Sequence, residues 1–433
     1  MSALARMLLA KGIAVSGSDV QESYTLNALR DAGAVVAIGH DERNVPPEAI
    51  VVFSSDIKAA NPELLAAKNR NCVLLHRSDL LAQLANDKKC LALAGTHGKT
   101  TTTSLLISIL AKADCKASFM VGGILQEQKS NAEINEGEYF VLEADESDGT
   151  FLKYEPFGAV ITNIDTDHLS HYKTLSALEK TFLEFAQKVQ SFRHLFWCGD
   201  DMRLQQLSLP GNSYGFGPQN ALCIQNYSQD GWRQWFTLTY DGKAYENIEL
   251  ALAGKHNVLN AAAVSGLCLE LGIEEQAIRA GLSQFKGVGR RCEHKGLWRE
   301  AFLIDDYAHH PTEIKATLEA IRSAIGQNRL IAIYQPHRYS RLQYCMGSFD
   351  RIFRDADQVV VTDIYHAGEE AIPGITKEAI LAEIARSHRH STFWPRHKLS
   401  EYLSKEARPG DTIVTLGAGD ITKLSAELHA IKC

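Results

Sequence analysis

The residues with the clearest chemical promise in this 433-residue chain are Gly95, Thr96, His97, Gly98, Lys99, Thr100 and Thr101. They lie between a short apolar run, Cys90 to Ala94, and a segment with apolar residues at Leu105, Leu106, Ile109 and Leu110. A buried strand, a tight glycine-bracketed loop and a helix, in that order, make a phosphate-cradling unit. N–H groups at a helix N-terminus hold anionic oxygens, Lys99 can reach terminal phosphates, and the Thr100 hydroxyl can hold Mg²⁺. The spacing departs from the common phosphate loop, because Leu93 stands where its first glycine would. Taken alone, the stretch could also be an ordinary strand-to-helix turn.

Two acidic clusters follow, Glu143-Ala-Asp145-Glu146-Ser-Asp148 and Asn163-Ile-Asp165-Thr-Asp167-His168, each at the end of an apolar run. In a parallel sheet the carboxyl ends of neighbouring strands gather at one edge, where these groups could bind one or two Mg²⁺ that bridge nucleotide phosphates. The same residues could simply cap the helices that follow. His168 and His171 have a zinc-like spacing, but no further ligands lie near them in sequence. Asn257 and Asn260, one helical turn apart, suit the donor–acceptor edge of an adenine, or else form an N-cap and a polar surface residue. Arg290-Arg291 could neutralise a transferring phosphoryl group, or be a solvated pair. Asp305-Asp306-Tyr307-Ala-His309-His310-Pro311-Thr312-Glu313 ends a strand and opens a helix, with Pro311 in the first turn and Glu313 placed to cap. Gln335-Pro-His337-Arg338-Tyr339-Ser-Arg341 follows the next strand in the same way. Arg338 and Arg341 make a fork for a carboxylate or phosphate, or are two solvated arginines at a helix start. His388 and His390 fall in a basic run and read as surface residues.

These groups need an α/β framework, and the chain supplies one. Strands are expected over 12–19, 34–38, 49–55 and 72–75, with helices over 24–32 and 61–68, a small parallel-sheet nucleotide-binding pattern. Core strands over 138–143 and 157–165 follow the loop, an antiparallel excursion covers about 220–250, and an apolar helix starts near Gly254. From 289 the β–α alternation resumes, with strands at 301–305, 330–334, 358–362 and 412–416. At 45% apolar and 22% charged residues this is ordinary globular composition, with length for two or three domains. A net charge of −7 argues against non-specific nucleic-acid binding. No apolar run approaches the roughly 18–20 residues that span a bilayer, and no signal peptide is recognisable. Nine cysteines scattered without a Cys-x-x-Cys pair fit reduced thiols. A cytoplasmic location is expected.

In their order along the chain, Gly95-Thr-His-Gly-Lys-Thr-Thr101, Glu143-Ala-Asp-Glu-Ser-Asp148, Asp167-His168, His256-Asn257-x-x-Asn260, Arg290-Arg291, Asp306-Tyr-Ala-His-His-Pro-Thr-Glu313 and Gln335-Pro-His-Arg-Tyr-Ser-Arg341 resemble the motifs of the Mur ligases. The resemblance spans essentially the whole chain. It implies an α/β fold of three domains: a Rossmann-like UDP-sugar domain over 1–87, a central ATPase domain with a mostly parallel sheet over 88–288, and a C-terminal Rossmann-like domain over 289–433 that closes over the site. It implies ATP-driven amide formation in peptidoglycan precursor synthesis, with UDP-N-acetylmuramate and L-alanine as partners and ATP and Mg²⁺ as cofactors. The lactyl carboxylate would become an acyl phosphate, which the amine then attacks. By the same resemblance Lys99 stabilises the transferring phosphoryl group, Thr100 and Glu143 hold a first Mg²⁺, and His168 serves a second. His256, Asn257 and Asn260 meet the adenine, and Arg291 and Asp306 the phosphate and ribose sides. Tyr307, His309, Arg338 and Arg341 hold the amino acid and the reacting carboxyl end.

Two departures from the family pattern stand out. Met1-Ser-Ala-Leu-Ala opens directly as a helix, where the family has a strand and a Gly-rich turn that bind the UDP diphosphate, so the first domain reads as N-terminally truncated and weakened in UDP-sugar binding. Several relatives carry a carbamylated lysine after His168, but neither Lys173 nor Lys180 can be placed at that position. A ligase that attaches a whole tripeptide to the same sugar, and a non-catalytic ATP-binding module, are the alternative readings.

Overall fold

Aliphatic runs separated by helical periods pair in parallel when each helix carries the chain back across the sheet. The computed structural model, which describes residues 1–167 and 169–431, follows that rule in most of its strands. Its contacts divide it into two units: Met1–Ile124 with Gln128–Tyr214 and Ala263–Gly281, and Leu125–Glu127 with Gly215–Ala262 and Leu282–Cys433.

The first unit opens on the helix Ser2–Ala10, which buries Ala3, Leu4 and Met7. Strands β1 (Ser16–Asp19) and β2 (Val35–Ile38) pair in parallel, as do β3 (Ile50–Phe53) and β4 (Val73–His76). One small sheet is expected here, whereas the structure has two separate pairs. Each pair packs on its own short apolar cluster, Leu26, Leu29 and Ala34 for the first and Val45, Ala66 and Ala67 for the second. The expected strand over 12–19 begins only at Ser16, because the chain from Lys11 to Ile13 closes the preceding helix with bonds to Met7, Leu8 and Leu9 carbonyls.

The body of this unit is a sheet of β5 (Lys89–Ala94), β6 (Ser118–Leu125), β7 (Ser130–Glu133), β8 (Tyr139–Glu143), β9 (Gly158–Ile161), β10 (Leu195–Cys198) and β11 (Asn212–Gly215). Their spatial order is β11-β10-β9-β5-β8-β6-β7. β5 is central and parallel to both β8 and β9. It is buried from Cys90 to Ala94, which explains its unbroken apolar run. The carboxyl ends of β5, β8 and β9 therefore open at one edge, where Gly95, Glu143 and Thr162 begin their loops. From that edge runs the helix Lys99–Lys112, buried over Thr102 to Leu110.

In the second unit β12 (Leu222–Asp230), β13 (Arg233–Tyr240) and β14 (Lys243–Leu250) form the antiparallel excursion expected from their alternation. A second sheet contains β15 (Glu293–Trp298), β16 (Ala301–Asp306), β17 (Leu330–Tyr334), β18 (Gln358–Val361), β19 (Ser391–Phe393) and β20 (Thr412–Leu416), in the order β15-β16-β20-β17-β18-β19. Only β15 is antiparallel to its neighbour. Successive strand residues enter opposite clusters: Ile304, Ala332, Tyr334 and Val414 on one face, Leu303, Ile331, Ile333 and Ile413 on the other. That two-residue period buries both faces and fixes the register.

His388 corrects the surface reading: it is buried, with Nε2 2.9 Å from the Ala356 carbonyl oxygen, while His390 is exposed. All described cysteines are free thiols. Among the described residues no helix is long and apolar enough to cross a membrane.

One contact ties the loop-bearing helix to its neighbour. A Cβ built on Gly281, in the helix Glu275–Ser283, would lie 2.5 Å from the Ile109 Cα, and the Ser108 Oγ donates to the Gly281 carbonyl at 2.8 Å. Backbone cannot yield as a flexible side chain can. Gly281→Ala is expected to lower unfolding free energy by about 1–3 kcal/mol, read from the urea midpoint. A change within about 0.5 kcal/mol, the range of an ordinary surface substitution, would show that the two helices part easily.

Candidate active site

The phosphate loop is fastened to the chain that leaves β9. Thr96 N–H donates to the Asn163 carbonyl at 3.0 Å, and the Asn163 side chain both accepts from His97 N–H at 2.8 Å and donates to the His97 carbonyl at 3.0 Å. The Thr162 hydroxyl donates to the same carbonyl at 2.6 Å, Asp165 N–H donates to the Thr96 hydroxyl at 2.9 Å, and His97 Nε2 lies 2.9 Å from the Asp165 carboxylate. Gly95 permits the close approach: its φ is +131°, and a Cβ there would sit 2.0 Å from the Thr162 Oγ. Gly98, at φ +82°, turns the chain into the helix Lys99–Lys112 as its N-cap. The first N–H groups of that helix have no acceptor within it, so this end is suited to an anion. Thr101 is half-buried in the first turn.

Lys99 bends back over the loop. Its ammonium donates to the Gly95 carbonyl at 2.6 Å, the Thr96 carbonyl at 3.1 Å and the Glu146 carboxylate at 2.7 Å. Burial opposes its charge, yet Glu146, Asp145 and Glu143 hold its pKa above the ordinary lysine value. Glu143, at the end of β8, accepts from the Thr100 hydroxyl at 3.1 Å and from Gly122 N–H at 2.7 Å. A threonine hydroxyl and a carboxylate facing each other beside the loop lysine are an oxygen donor pair of the kind Mg²⁺ takes. His168 lies outside the described residues. Asp165, one of the candidate metal ligands, is engaged with His97.

The second unit carries the other candidates. Gly254 precedes the helix Lys255–Glu270, and His256 near its start is shielded enough that burial takes its pKa down to about 4. Asn257 donates to the Ala253 carbonyl at 2.8 Å, and Asn260 donates to the Asn257 side-chain oxygen at 3.3 Å. Both are buried, so Asn260 is not a polar surface residue. At the end of β16, Asp306 accepts from Cys292 N–H at 2.6 Å, Ala308 N–H at 2.8 Å and the Thr317 hydroxyl at 3.3 Å. Burial raises its pKa to about 6, against the pull of Arg291 and those N–H groups. Its oxygens thus bind the protein's own turn, the part of the ribose expectation that the geometry supports least.

Around that strand end the aromatic and cationic groups converge. The guanidinium groups of Arg290 and Arg291 lie 4.8 and 5.1 Å from the Tyr307 ring centroid. Tyr307 meets His309 edge-on at 5.3 Å, and His309 lies 6.0 Å from His337. His310 and Glu313 form the anticipated capping box, with Pro311 in the first turn. His337 stacks on Tyr365 with centroids 5.6 Å apart, and Arg341 Nη1 lies 3.0 Å from its Nδ1. Burial first, then Arg341, take the His337 pKa down to about 3, so the ring is neutral. Arg338 caps the helix Tyr339–Cys345 at φ +62° with an exposed side chain. The Arg290 guanidinium is held by the Gly417, Ala418 and Gly419 carbonyls, so it clamps a loop while its neighbour Arg291 remains the phosphoryl candidate.

Three contributors escape a reading by spacing. Tyr365 has no local mark beyond following a strand, Asn163 resembled one more acidic-cluster member, and the burial of Glu146 depends on the fold. Asn163 also yields a test. Asn163→Ala removes both side-chain bonds to His97, and backbone amide exchange over Gly95–Gly98 should accelerate about tenfold, while unchanged exchange would mean that the other four contacts suffice.

Family models match in order along the chain: "Mur ligase family, catalytic domain" over 1–89, "Mur ligase middle domain" over 93–268 and "Mur ligase, glutamate ligase domain" over 290–419. The chain is similar to the UDP-N-acetylmuramate--L-alanine ligase of Protochlamydia amoebophila, 49% identical over 99% of this chain and 94% of the relative. It is also similar to the bifunctional enzyme MurC/Ddl of Chlamydia trachomatis, 44% identical over 99% of this chain and 53% of the relative. Among solved structures, the UDP-N-acetylmuramate-alanine ligase MurC of Thermotoga maritima superposes with a TM-score of 0.84 at 26% identity, over 99% of this chain and 95% of that one. The chain belongs to the Mur ligase family and has its three-domain α/β fold.

Proposed function

We propose that this protein joins L-alanine to UDP-N-acetylmuramate at the expense of ATP, in the building of peptidoglycan precursors. The observation that carries this reading is the 49% identity, over nearly the whole length of both chains, to a relative of that name. A carboxylate is a poor electrophile, so the reaction needs a leaving group. Phosphorylation of the lactyl carboxylate by the γ-phosphate of ATP supplies it, the alanine amine adds to the acyl carbon, and the tetrahedral intermediate collapses with loss of inorganic phosphate. Such chemistry rests on positioning and charge neutralisation.

In this reading residues 1–87 bind the UDP-sugar, 88–288 form the ATP domain and 289–433 the amino-acid domain. The Gly95–Thr101 loop cradles the phosphates with its N–H groups, and Lys99 meets the transferring phosphoryl group. Thr100 and Glu143 would hold Mg²⁺, with His168 serving a second ion, and the metal would supply charge neutralisation at the phosphate oxygens. His256, Asn257 and Asn260 serve the adenine, and Arg291 and Asp306 the phosphate and ribose sides. Tyr307, His309, Arg338 and Arg341 receive the amino acid. His337, neutral and held against Arg341, keeps that guanidinium oriented. The reaction is assigned to the cytoplasm.

Phosphate release from ATP with UDP-N-acetylmuramate, in the presence of L-alanine or of a tripeptide acceptor, tests the proposal. L-alanine should support turnover and the tripeptide should not, whereas turnover with the tripeptide alone would overturn the assignment. Arg341→Lys keeps the charge but loses the planar fork, and should raise KM for L-alanine about tenfold with KM for ATP unchanged.

A further inference from the structure

The interaction that the proposed mechanism leaves unused is the ion pair between Lys99 and Glu146. Glu146 is fully buried and its carboxylate lies 2.7 Å from the Lys99 ammonium. The other two ammonium hydrogens have acceptors in Gly95 and Thr96, so the lysine is held on its own loop. Glu146 is fixed in turn. Its carbonyl accepts from Gly149 N–H at 3.0 Å and from the Tyr172 hydroxyl. Asp145 before it and Asp148 two residues after it are anchored too, Asp145 lying 3.7 Å from Arg77 and Asp148 accepting from the Ser55 hydroxyl at 3.2 Å.

We propose that Glu146 is a positioning residue that tethers the Lys99 ammonium to the loop carbonyls and so competes with bound nucleotide for it. The inference rests on the reading of Lys99 as the group that meets the phosphates. A buried ammonium that loses its counter-ion is strongly destabilised, and an arriving polyphosphate then becomes the replacement. Removal of the carboxylate should therefore strengthen nucleotide binding while weakening catalysis. The ammonium settles on ground-state phosphate oxygens and is no longer drawn to the place where charge develops during transfer.

The test uses the full-length protein, Mg²⁺-ADP titrated calorimetrically, thermal melting with and without that nucleotide, and steady-state turnover. In Glu146→Gln the melting temperature without nucleotide should fall, the Kd for ADP should tighten about tenfold, and kcat should drop about 100-fold. Glu146→Asp, which keeps the charge, should return the Kd to the wild-type value. Unchanged or weaker ADP binding in Glu146→Gln, with or without a loss of turnover, would overturn the tether and leave the glutamate a structural part. If the variant does not fold alone, ADP should restore its melting transition, and failure to do so also overturns the proposal. Lys99→Met separates the underlying reading: normal ADP binding and turnover there would remove Lys99 from the phosphates, whereas an inactive Lys99→Met beside a wild-type-like Glu146→Gln would reject the tether alone.

Discussion

The first unit depends on the fastening of the Gly95–Gly98 loop to Thr162–Asp165. A helix cannot satisfy its own first N–H groups, and it presents them usefully only if the preceding loop is held still. Here the holding comes from the adjacent strand end: Asn163 brackets His97 from both sides, Thr162 occupies the His97 carbonyl, and Asp165 engages both Thr96 and the His97 ring. The arrangement is possible because β5 and β9 are parallel neighbours whose carboxyl ends emerge together. It also accounts for Gly95, where any side chain would strike Thr162.

Charge is arranged around that loop under the same constraint. Breaking a buried ion pair by removing one partner costs about 3–5 kcal/mol, so Lys99 and Glu146 each make the other tolerable in the interior. Glu143 faces a different environment, half-buried and bonded to Thr100 and Gly122. Two glutamates three residues apart on the same strand end thus do different work. One compensates the loop cation, and the other joins the first turn of the loop-bearing helix to Gly122.

Much of this was legible in the sequence, and what was not has identifiable causes. The strands were readable because parallel strands buried on both faces give unbroken apolar runs such as Cys90–Ala94 and Leu330–Tyr334. The capping box at His310, Pro311 and Glu313 was readable because its partners are local. The two separate strand pairs before residue 87 were not, since a four-residue run does not disclose which neighbour it will pair with. Nor was the burial of His388, whose polar and basic sequence neighbours conceal a ring bonded to the distant Ala356 carbonyl. Motif spacing singled out Lys99 and Glu143 around the loop, and Tyr307 after β16, as candidates. It could not separate Arg290 from Arg291, because that distinction lies in three carbonyls of the loop 417–419.

The Arg290 clamp shows the strand-end principle operating a second time. Asp305, fully buried, accepts from the Thr415 and Thr422 hydroxyls at 2.6 Å each, and Arg290 stands 3.7 Å from it while gripping the 417–419 carbonyls. Because β16 and β20 are parallel neighbours, the loops leaving them are brought side by side and tied through one arginine and one aspartate. So occupied, the Arg290 guanidinium still lies over the Tyr307 ring, as does that of Arg291. Of these adjacent arginines, Arg290 is the one whose guanidinium is committed to the 417–419 carbonyls. Each unit thus holds its candidate side chains by stitching a strand-end loop to the loop of a parallel neighbour.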